Sequence, residues 1–528
     1  MSKNPFYDKK SLILTILFLA LTISITGGMA VIVISDPAVR YSQSLFRAAR
    51  IIRDVYPDTI NWQSAMLSAR QAIFEQLDPF SSYINKEQLD RFVDELSGGY
   101  HGIGVSVTAE KRGLLIISVR ENGPAAVAGI LAGDIITKVD SISLDGLPSD
   151  ESIKIVKGEE GTAITATVLR PATGDTLQLE IERKRIDFLH VPYAGITPDS
   201  FVYIRLLDFD AGATADLKAA LDSLILINPQ AVKGLILDLR DNPGGLFEEA
   251  RRTVDLFFEK NQFIVGSFGR SRWESEEYYA KNEIDLPELP LAILVNSNSA
   301  SSSEIVAGAL KYSGKALIVG DTTFGKGLVQ GYFRLPDGDG LRLTISRYYF
   351  EGRKFINSPN KANAESDGGI IPDLYIEYIE TNAFYNELES SLALFRFAHE
   401  FQDEIIGANN TSETRDLWVA RLKEFALADN FQFESETTKI AKYLEFQAET
   451  KNIKKVAAIL TENSRQADKL YFKKFADFIW LRLRQLALER KFGAYRSYKD
   501  AFAAEYEPIQ IAIRALKKGT KTGSNFIH

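Results

Sequence analysis

Between about residue 190 and residue 378, apolar strand-like segments alternate with helix-like segments, and this alternation limits the available folds more than any other feature of the sequence. The strand-like segments are VYIRL, GLILDLR, LAILVN and ALIVG, and the helix-like ones are ATADLKAALDSLI and SSSEIVAGALKYS. Such alternation predicts an α/β layer fold. In open α/β sheets ligands bind beyond the carboxyl ends of the strands, so the loops LDLRDNPGG, LVNSNSASSSE and LIVGDTTFGKG should converge on one crevice.

The regions on either side of this α/β core, residues 187–378, differ from it in composition. Residues 37–97 have apolar positions at three-to-four spacing and predict a helical region. Residues 98–186 contain short β-rich runs separated by Gly, Pro and Asp, which predicts a small β-rich domain. After Pro372 the only proline is Pro508, so residues 379–528 should form a mostly helical C-terminal extension.

The N-terminus carries an apolar run from Ser11 to Ile34, 24 residues long and free of charged side chains. As a helix it would be about 36 Å long, enough to cross a bilayer core of about 30 Å. Lysines precede it and Asp36 is the first charge after it, so residues 1–36 predict a cytoplasmic N-terminus followed by an uncleaved transmembrane anchor. A cleaved signal peptide is the alternative. In either case the rest of the chain is exported.

Composition argues against several classes of function. The formal net charge of −8 gives no reason to expect nucleic acid as a partner. The chain has no cysteine and four histidines, so disulfides and thiolate metal sites are excluded and a zinc site is not expected. We therefore predict no metal and no cofactor.

The segment GDTTFGKGLVQ, residues 320–330, matches the first seven positions of a phosphate-binding loop. The eighth position of that motif is a serine or threonine that ligates magnesium, and here it is Gly327. A P-loop ATPase is therefore a weak alternative, and Lys326 needs another role.

A serine-rich turn, SASSSE, joins the strand LAILVN to the next helix. One interpretation is a capping box, in which Ser301 begins the helix and Glu304, three residues later, reaches back to it. The other is a catalytic turn, because a hydroxyl at a strand end lies beside unpaired backbone N–H groups that stabilise an oxyanion. These residues alone leave both interpretations open.

A catalytic serine needs a base, and Lys326 in the following loop is the candidate. With the usual lysine pKa of about 10.4, only about four side chains in ten thousand are neutral at pH 7, so the pKa must fall by about three units. Burial among apolar groups such as Phe324 supplies a shift of that kind. Gln330, four residues further on, could hydrogen-bond the amine without adding a negative charge that would raise its pKa.

Together, VNSNSASSSEIVAGAL, GDTTFGKGLVQ and LDLRDNPGG resemble the carboxyl-terminal processing (tail-specific) serine peptidase family, whose members contain a PDZ domain. The resemblance implies that Ser301 is the nucleophile, Lys326 the general base and Gln330 its orienting partner. The separation of 25 residues between the serine and the lysine suits the family. A catalytically inactive PDZ adaptor on the same fold is the alternative function.

The resemblance also implies an oxyanion site formed by the N–H of Ser302 and that of Gly244 or Gly245, between which the sequence does not decide. Upstream, LDPFSSYI matches the N-terminal helical region of the family, and YHGIGVSV matches the ligand loop of its PDZ domain. A nest of N–H groups in that loop would bind the C-terminal carboxylate of a substrate, and the residues concerned are Gly102, Ile103, Gly104 and Val105.

The fold class expected from these observations is multidomain α+β. It comprises an N-terminal membrane helix, a helical segment, a PDZ-like β-rich domain, an α/β peptidase core of the crotonase/Clp-protease type and a helical C-terminal domain. The expected function is that of a serine endopeptidase acting on protein or peptide substrates with free C-termini. The expected location is a bacterial inner membrane, crossed once, with the catalytic body in the periplasm. An adaptor protein and a homo-oligomer are both left open.

Overall fold

The computed structural model describes residues 36–90, 99–171, 173–225, 232–270, 275–284, 286, 288–356, 368–376, 383–447, 451–468, 470–493, 497 and 507–519. The chain divides into two compact units, Met1–Pro79 and Phe80–His528. The predicted membrane segment, residues 11–34, lies outside the described residues. In the part of the chain that is described, no helix has both the length and the apolar character needed to cross a membrane.

The strands and helices are numbered in chain order. The first strands are β1 Ser82–Ile84, β2 Gly99–Gly102, β3 Val105–Glu110, β4 Gly113–Val119, β5 Ile135–Val139, β6 Ile142–Ser143, β7 Ala163–Arg170, β8 Asp175–Glu182 and β9 Lys184–Asp187. The later strands are β10 Tyr193–Ile196, β11 Phe201–Arg205, β12 Gly234–Asp238, β13 Phe263–Gly269, β14 Glu277–Tyr279, β15 Leu291–Val295, β16 Ala316–Gly320, β17 Leu328–Arg334, β18 Gly340–Phe350, β19 Lys354–Phe355 and β20 Leu374–Tyr375. The helices are α1 Pro37–Val55, α2 Trp62–Phe74, α3 Pro124–Val127, α4 Ser149–Val156, α5 Ala213–Ile225, α6 Phe247–Asp255, α7 Ser302–Tyr312, α8 Ala383–Ser390, α9 Ala393–Glu400, α10 Gln402–Gly407, α11 Ser412–Ala428, α12 Glu436–Gln447, α13 Lys451–Asp468, α14 Tyr471–Lys474, α15 Ala476–Phe492 and α16 Glu507–Lys517.

The first unit contains α1 and α2, as the helical periodicity of this region predicts. Asp36 caps α1 by accepting a 2.7 Å hydrogen bond from the Ala38 N–H, and Pro37 occupies the first helical position, where its missing N–H costs nothing. Asn61 caps α2 by accepting a 3.0 Å hydrogen bond from the Ser64 N–H. Both helices therefore begin where short polar side chains replace the missing backbone partners.

The β-rich domain is an antiparallel sheet in the order β3-β4-β5-β7-β8, with β6 paired to β5. Strands β2 and β9 pair antiparallel at the two ends of the domain, so that Gly99 lies opposite Asp187. The apolar core of this domain includes Ile103, Leu114 and Ile116. Strand β3 lies at the edge of the sheet in this order, and among the described strands its ladder runs to β4 alone.

The peptidase-like core is built on a sheet in the order β10-β11-β12-β15-β16-β20. Strand β10 is antiparallel to β11, and the following strands are parallel to one another. Asp238 lies opposite Leu294, and Val295 lies opposite Gly320. The carboxyl ends of β12, β15 and β16 therefore meet at one edge, as the α/β alternation predicts.

Helices cover both faces of this sheet, whose central strands are buried throughout. Helices α5, α6 and α7 pack on one face. Helix α16 packs on the other, where Ile509, Ala512 and Ile513 contact a cluster that includes Tyr203 and Ile236. A mainly parallel sheet needs cover on both faces, so α16 completes the peptidase core. The sequence analysis placed this helix in the C-terminal extension. An amphipathic pattern shows that one face of a helix is buried, but it does not show which surface that face packs against.

A second sheet has the order β1-β18-β13-β14, with β17 and β19 also paired to β18. Strand β1 lies in the region 37–97, which was predicted to be helical, and that prediction is wrong for Ser82–Ile84. The segment is short and contains a tyrosine and an isoleucine, which favour strands. Pairing with β18 gives its backbone N–H and C=O groups hydrogen-bond partners that a three-residue helix could not supply.

Most of the remaining C-terminal residues form a helical bundle that packs on the β-rich domain. Helices α8–α11, α14 and α15 share one apolar core, and Leu115 and Ile135 of the β-rich domain belong to the same core. The extension is thus helical, as composition predicts, and it covers the face of the β-rich sheet that points away from that domain's own core.

The role of α16 as a cover for the peptidase sheet predicts a large effect of Ile513→Ala, since this side chain is 1% exposed. Deleting buried methyl groups should lower the free energy of unfolding by about 2–5 kcal/mol, measured by urea unfolding. The matched control is Arg514→Ala, which removes an exposed side chain from the same helix and should change stability by at most about 0.5 kcal/mol. Equal stability of the two variants would contradict the packing.

Candidate active site

The serine-rich turn is held against the turn after β12 by three of its own hydroxyl groups. These hydroxyls donate to backbone carbonyls across the crevice: Ser299 to Leu239 at 2.7 Å, Ser302 to Gly245 at 3.0 Å and Ser303 to Asn242 at 2.9 Å. Among the described residues, the hydroxyl of Ser301 donates no such bond. Three serines of the turn therefore have a structural role, and the proton of Ser301 stays available.

Ser301 has φ 55° and ψ −112°, a positive φ that residues with a side chain rarely adopt. Conformations of this kind cost on the order of 1–3 kcal/mol and persist only where the surroundings impose them. A strained strand-to-helix turn that exposes a hydroxyl is the backbone geometry of a nucleophile elbow. The sequence has no G-x-S-x-G motif, so this geometry could not be read from it.

The carboxylate of Glu304 joins the loop of Ser301 to the loop of Lys326. Its Oε2 accepts hydrogen bonds from the backbone N–H of Ser301 at 2.9 Å and of Lys326 at 2.8 Å. Its Oε1 accepts bonds from the Thr323 hydroxyl at 2.6 Å and the Gly325 N–H at 2.7 Å. Glu304 does reach back to Ser301, as in a capping box, but it also orders the next loop.

Glu304 is completely buried, and its burial sets the electrostatics of the site. Burial raises the pKa of Glu304 above its usual value, and the hydrogen bonds from Thr323, Gly325, Ser301 and Lys326 oppose that shift. All four partners donate, and four accepting positions are what an ionised carboxylate offers. The observed geometry is therefore that of the charged form.

Lys326 is half-buried, and its amine lies over the ring of Phe80, 5.2 Å from the ring centroid. Burial lowers the pKa of Lys326 below its ordinary value, and the nearby Arg342 lowers it further, while Glu304 acts in the opposite direction. The direction of this shift agrees with what a lysine base requires. Phe80 was not expected to contact the lysine, although it lies within the LDPFSSYI segment.

Tyr348 forms a second link between the two loops. Its hydroxyl donates to the Lys326 carbonyl at 2.7 Å and lies 3.3 Å from the Ser301 carbonyl. The side chain is fully buried, and burial raises the pKa of Tyr348 well above its usual value, so the hydroxyl keeps its proton. The sequence carried no signal for this contact, because Tyr348 belongs to a strand of the second sheet.

Gln330 lies in β17, next to an irregularity in the pairing of β17 with β18 between Val329 and Gln330. Its amide nitrogen is buried and has no hydrogen-bond partner among the described residues. Among the described residues, Gln330 and the Lys326 amine form no hydrogen bond with each other.

The turn after β12 lies directly against Ser301. Gly244 and Gly245 have φ values of 100° and 153°, and a Cβ on Gly244 would come within 2.8 Å of the Ser301 Cβ and 2.9 Å of the Ser302 nitrogen. Only glycine fits this approach. The Gly244 N–H donates to the side chain of Asn242 at 2.9 Å, whereas the Gly245 N–H donates to none of the described residues. The two glycines thus differ in the availability of their N–H groups.

A buried ion pair lies where β12 leads into that turn. Asp238, at the end of β12, accepts hydrogen bonds from the Arg240 guanidinium at 2.8 Å and from the Tyr203 hydroxyl at 2.7 Å. Burial alone would raise the pKa of Asp238, but Arg240 and Arg205 outweigh it and hold the pKa at about 2. The carboxylate therefore stays ionised throughout the physiological pH range, and its bonds to Arg240 persist.

The candidate peptide-binding loop joins β2 to β3. Gly104 has φ 78°, and the carbonyls of Ile103 and Gly104 accept 2.9 Å hydrogen bonds from Ala125 and Arg120. Ile103 is 1% exposed and belongs to the domain core, so only its backbone is available to a ligand. A cavity of about 650 Å³ lies beside the loop, lined by Gly104, Val105 and Arg120 and, from the C-terminal bundle, by Phe395 and His399.

Two family models match the α/β core and the β-rich domain. The model of peptidase family S41 matches residues 200–376, and that of the PDZ domain matches residues 101–184. A carboxy-terminal-processing protease of Bartonella bacilliformis is 35% identical over 327 residues, which cover 62% of this chain and 73% of that protein. A probable CtpA-like serine protease of Staphylococcus haemolyticus is 33% identical over 274 residues, or 52% of this chain and 54% of that protein. Among solved structures, a photosystem II D1 C-terminal processing protease is 27% identical with a TM-score of 0.36, covering 64% of this chain and 87% of that one.

These observations define a multidomain α+β serine peptidase with a PDZ domain and additional helices. The chain belongs to peptidase family S41, in the group of carboxy-terminal-processing serine proteases.

The position of Glu304 predicts a severe effect of Glu304→Gln. The amide keeps the shape of the side chain but presents N–H groups to two of the four donors, and each lost charge-assisted hydrogen bond is worth about 1.5–3 kcal/mol. We expect a lower free energy of unfolding and a loss of kcat/KM of more than about tenfold. Glu351→Gln, an exposed glutamate outside the site, is the control. Normal activity and stability of Glu304→Gln would show that the two loops do not depend on this carboxylate.

Proposed function

We propose that the chain cleaves proteins with a Ser-Lys dyad, in which Ser301 is the nucleophile and Lys326 the general base. The observation that carries this proposal is the Glu304 carboxylate, which binds the backbone N–H groups of both residues and so holds their loops in one arrangement. The lowered pKa of Lys326 supports the same assignment, as does the hydroxyl of Ser301, which donates to none of the described residues. Gln330, on the strand that follows Lys326, is the proposed orienting partner of the amine.

In the proposed reaction, the neutral Lys326 amine takes the proton of the Ser301 hydroxyl as its oxygen attacks the scissile carbonyl carbon. The resulting ammonium then donates that proton to the leaving amine, and the peptide C–N bond breaks to give an acyl-enzyme. Water, deprotonated by Lys326, then attacks the ester carbon, the C–O bond to Ser301 breaks, and the ammonium returns the proton to the serine oxygen as the new carboxyl terminus leaves. The lysine has to be neutral at the start of each of the two steps.

The proposed oxyanion donors are the backbone N–H groups of Gly245 and Ser302. Ser302 is the first residue of α7, where a helix has N–H groups without internal partners. Gly244 is the less suitable of the two glycines, because its N–H already donates to Asn242. Two such donors, fixed before substrate arrives, stabilise the negative charge that develops on the carbonyl oxygen.

The dyad predicts that Lys326→Arg folds but loses nearly all turnover, because a guanidinium stays protonated and cannot accept the serine proton. The measurement is casein cleavage by the purified protein, with Ser301→Ala as the inactive reference. Since a base is active when it is neutral, kcat/KM of the unmodified chain should rise with pH toward neutral or mildly alkaline values. Full activity of Lys326→Arg would remove the lysine from the mechanism and would favour another base.

We propose that the PDZ domain selects substrates by a free C-terminus, which would bind the loop Gly102–Gly104 while the peptide pairs with the edge strand β3. Amidation removes the terminal charge and with it charge-assisted bonds worth about 1.5–3 kcal/mol, so kcat/KM should fall about 10- to 150-fold. Gly104→Val should have a similar effect, since φ is 78° and the Ile186 side chain lies 3.3 Å from the new Cβ. In that variant, Ser301 should keep its reactivity toward a small active-site probe. Equal cleavage of free and amidated peptides would show that C-termini are not read.

We also propose that the apolar run 11–34 anchors the protein in a bacterial inner membrane, with the catalytic body on the periplasmic side. High salt removes electrostatic but not hydrophobic attachment, so the protein should stay in the membrane fraction after a high-salt wash. A soluble product that begins near residues 30–40 would instead identify a cleaved signal peptide.

A further inference from the structure

Phe324 combines a backbone that is held in place with an exposed ring. Its two neighbours in the chain, Thr323 and Gly325, both donate hydrogen bonds to the Glu304 carboxylate, at 2.6 and 2.7 Å. Its own backbone N–H donates to the carbonyl of Ser299, in the serine-rich turn, at 3.0 Å. The Phe324 side chain is 48% exposed, whereas Thr323 and Gly325 are buried. The loop therefore presents this ring to solvent from a backbone that is tied to the turn of the nucleophile.

The ring of Phe324 belongs to an aromatic pair that adjoins the Lys326 amine. Its partner is Phe80, and the two rings make an edge contact with centroids 6.5 Å apart and an interplanar angle of 76°. The Lys326 amine lies over the ring of Phe80, 5.2 Å from its centroid. Single exposed aromatic rings are common on protein surfaces and need no explanation. This pair differs from them because it lies beside the group that is proposed to transfer the proton.

The direction of proton transfer brings one residue of the substrate to this aromatic pair. In the proposed reaction the Lys326 ammonium donates its proton to the leaving nitrogen, which requires about 2.6–3.2 Å between the two nitrogens. That nitrogen belongs to the residue that follows the scissile bond, so the Cβ of that residue lies within about 6 Å of the amine. The ring of Phe80 lies in the same range of distance from the amine. The first side chain of the leaving peptide is therefore the one that reaches the rings.

We propose that Phe324 and Phe80 form a binding site for the side chain that follows the scissile bond, and that this site selects apolar side chains. The proposal rests on the Ser-Lys function proposed above, because proton transfer from Lys326 is what brings the leaving residue there. An apolar side chain gains free energy by covering the exposed part of the Phe324 ring. An aspartate would lose hydration against the rings, and its charge would favour the ammonium form of the lysine. This selection is separate from recognition of a free C-terminus, which involves the PDZ domain.

The test uses a peptide found among the casein products of the unmodified chain, with its cleavage point located by mass spectrometry. Three versions are synthesised that differ only in the residue after that point, which is leucine, alanine or aspartate. The unmodified chain should cleave the leucine version with a kcat/KM about tenfold above that of the alanine version, the lower end of the roughly 10- to 200-fold that one methylene is worth in an apolar pocket. The aspartate version should be the slowest. Mass spectrometry of the products verifies that the cleavage point stays the same.

Phe324→Ala should lower the ratio of the leucine to the alanine kcat/KM about tenfold, because the apolar surface is lost. Phe324→Leu should keep most of the preference, because leucine restores an apolar side chain at the same position. The ratio is measured within one variant, so a folding defect that lowers both rates equally does not change it. The matched control is Phe492→Ala, which removes a ring of the same exposed fraction, 48%, from the end of α15 and should leave the ratio unchanged.

An unchanged ratio in Phe324→Ala overturns the inference. That includes an equal loss of cleavage for every peptide, which would assign the ring to packing around the amine alone. Absence of any preference in the unmodified chain overturns it as well. These outcomes leave the Ser-Lys function in place as long as Lys326→Arg and Ser301→Ala are inactive. Activity of Lys326→Arg would contradict the dyad itself, so the two failures are distinguishable.

Discussion

The carboxylate of Glu304 is the interaction on which the rest of the active site depends. It is buried, it accepts hydrogen bonds from four donors, and two of those donors are the backbone N–H groups of Ser301 and Lys326. The same charge that orders the loops also favours the ammonium form of the lysine, which is the inactive form of a base. The site therefore combines a carboxylate that holds the two loops with burial that lowers the pKa of Lys326.

The site residues that the sequence predicted are those that follow strands of the parallel sheet. The loops of Ser301 and Lys326 were expected to meet because parallel strands end at one edge, and the resemblance to the peptidase family implied the roles of the two residues. The sequence could not distinguish Gly244 from Gly245 as the proposed oxyanion donor, because the difference between them is a hydrogen bond from the Gly244 N–H to Asn242. Gln330 was predicted to orient the lysine amine, and that role stays a prediction; its amide nitrogen has no partner among the described residues.

Phe80, Tyr348 and Arg342 were missed for a common reason. Each belongs to or adjoins the second sheet, in which β1 pairs with the distant strand β18, with Ser82 opposite Arg342. Long-range strand pairing has no local pattern, and the short strand β1 lies in a region with a helical periodicity. The composition of the C-terminal residues predicted helices correctly, but an amphipathic helix does not identify its partner. For that reason neither the packing of the bundle on the PDZ domain nor the position of α16 could be predicted.

The position of α16 has a consequence for the order in which the enzyme matures. A chain that is synthesised from its N-terminus releases the strands of the peptidase sheet before residues 507–517. Until that helix arrives, one face of the sheet lacks the side chains of Ile509 and Ile513 and exposes apolar surface. Closure of the core is thus among the last events of folding, with contacts of high sequence separation.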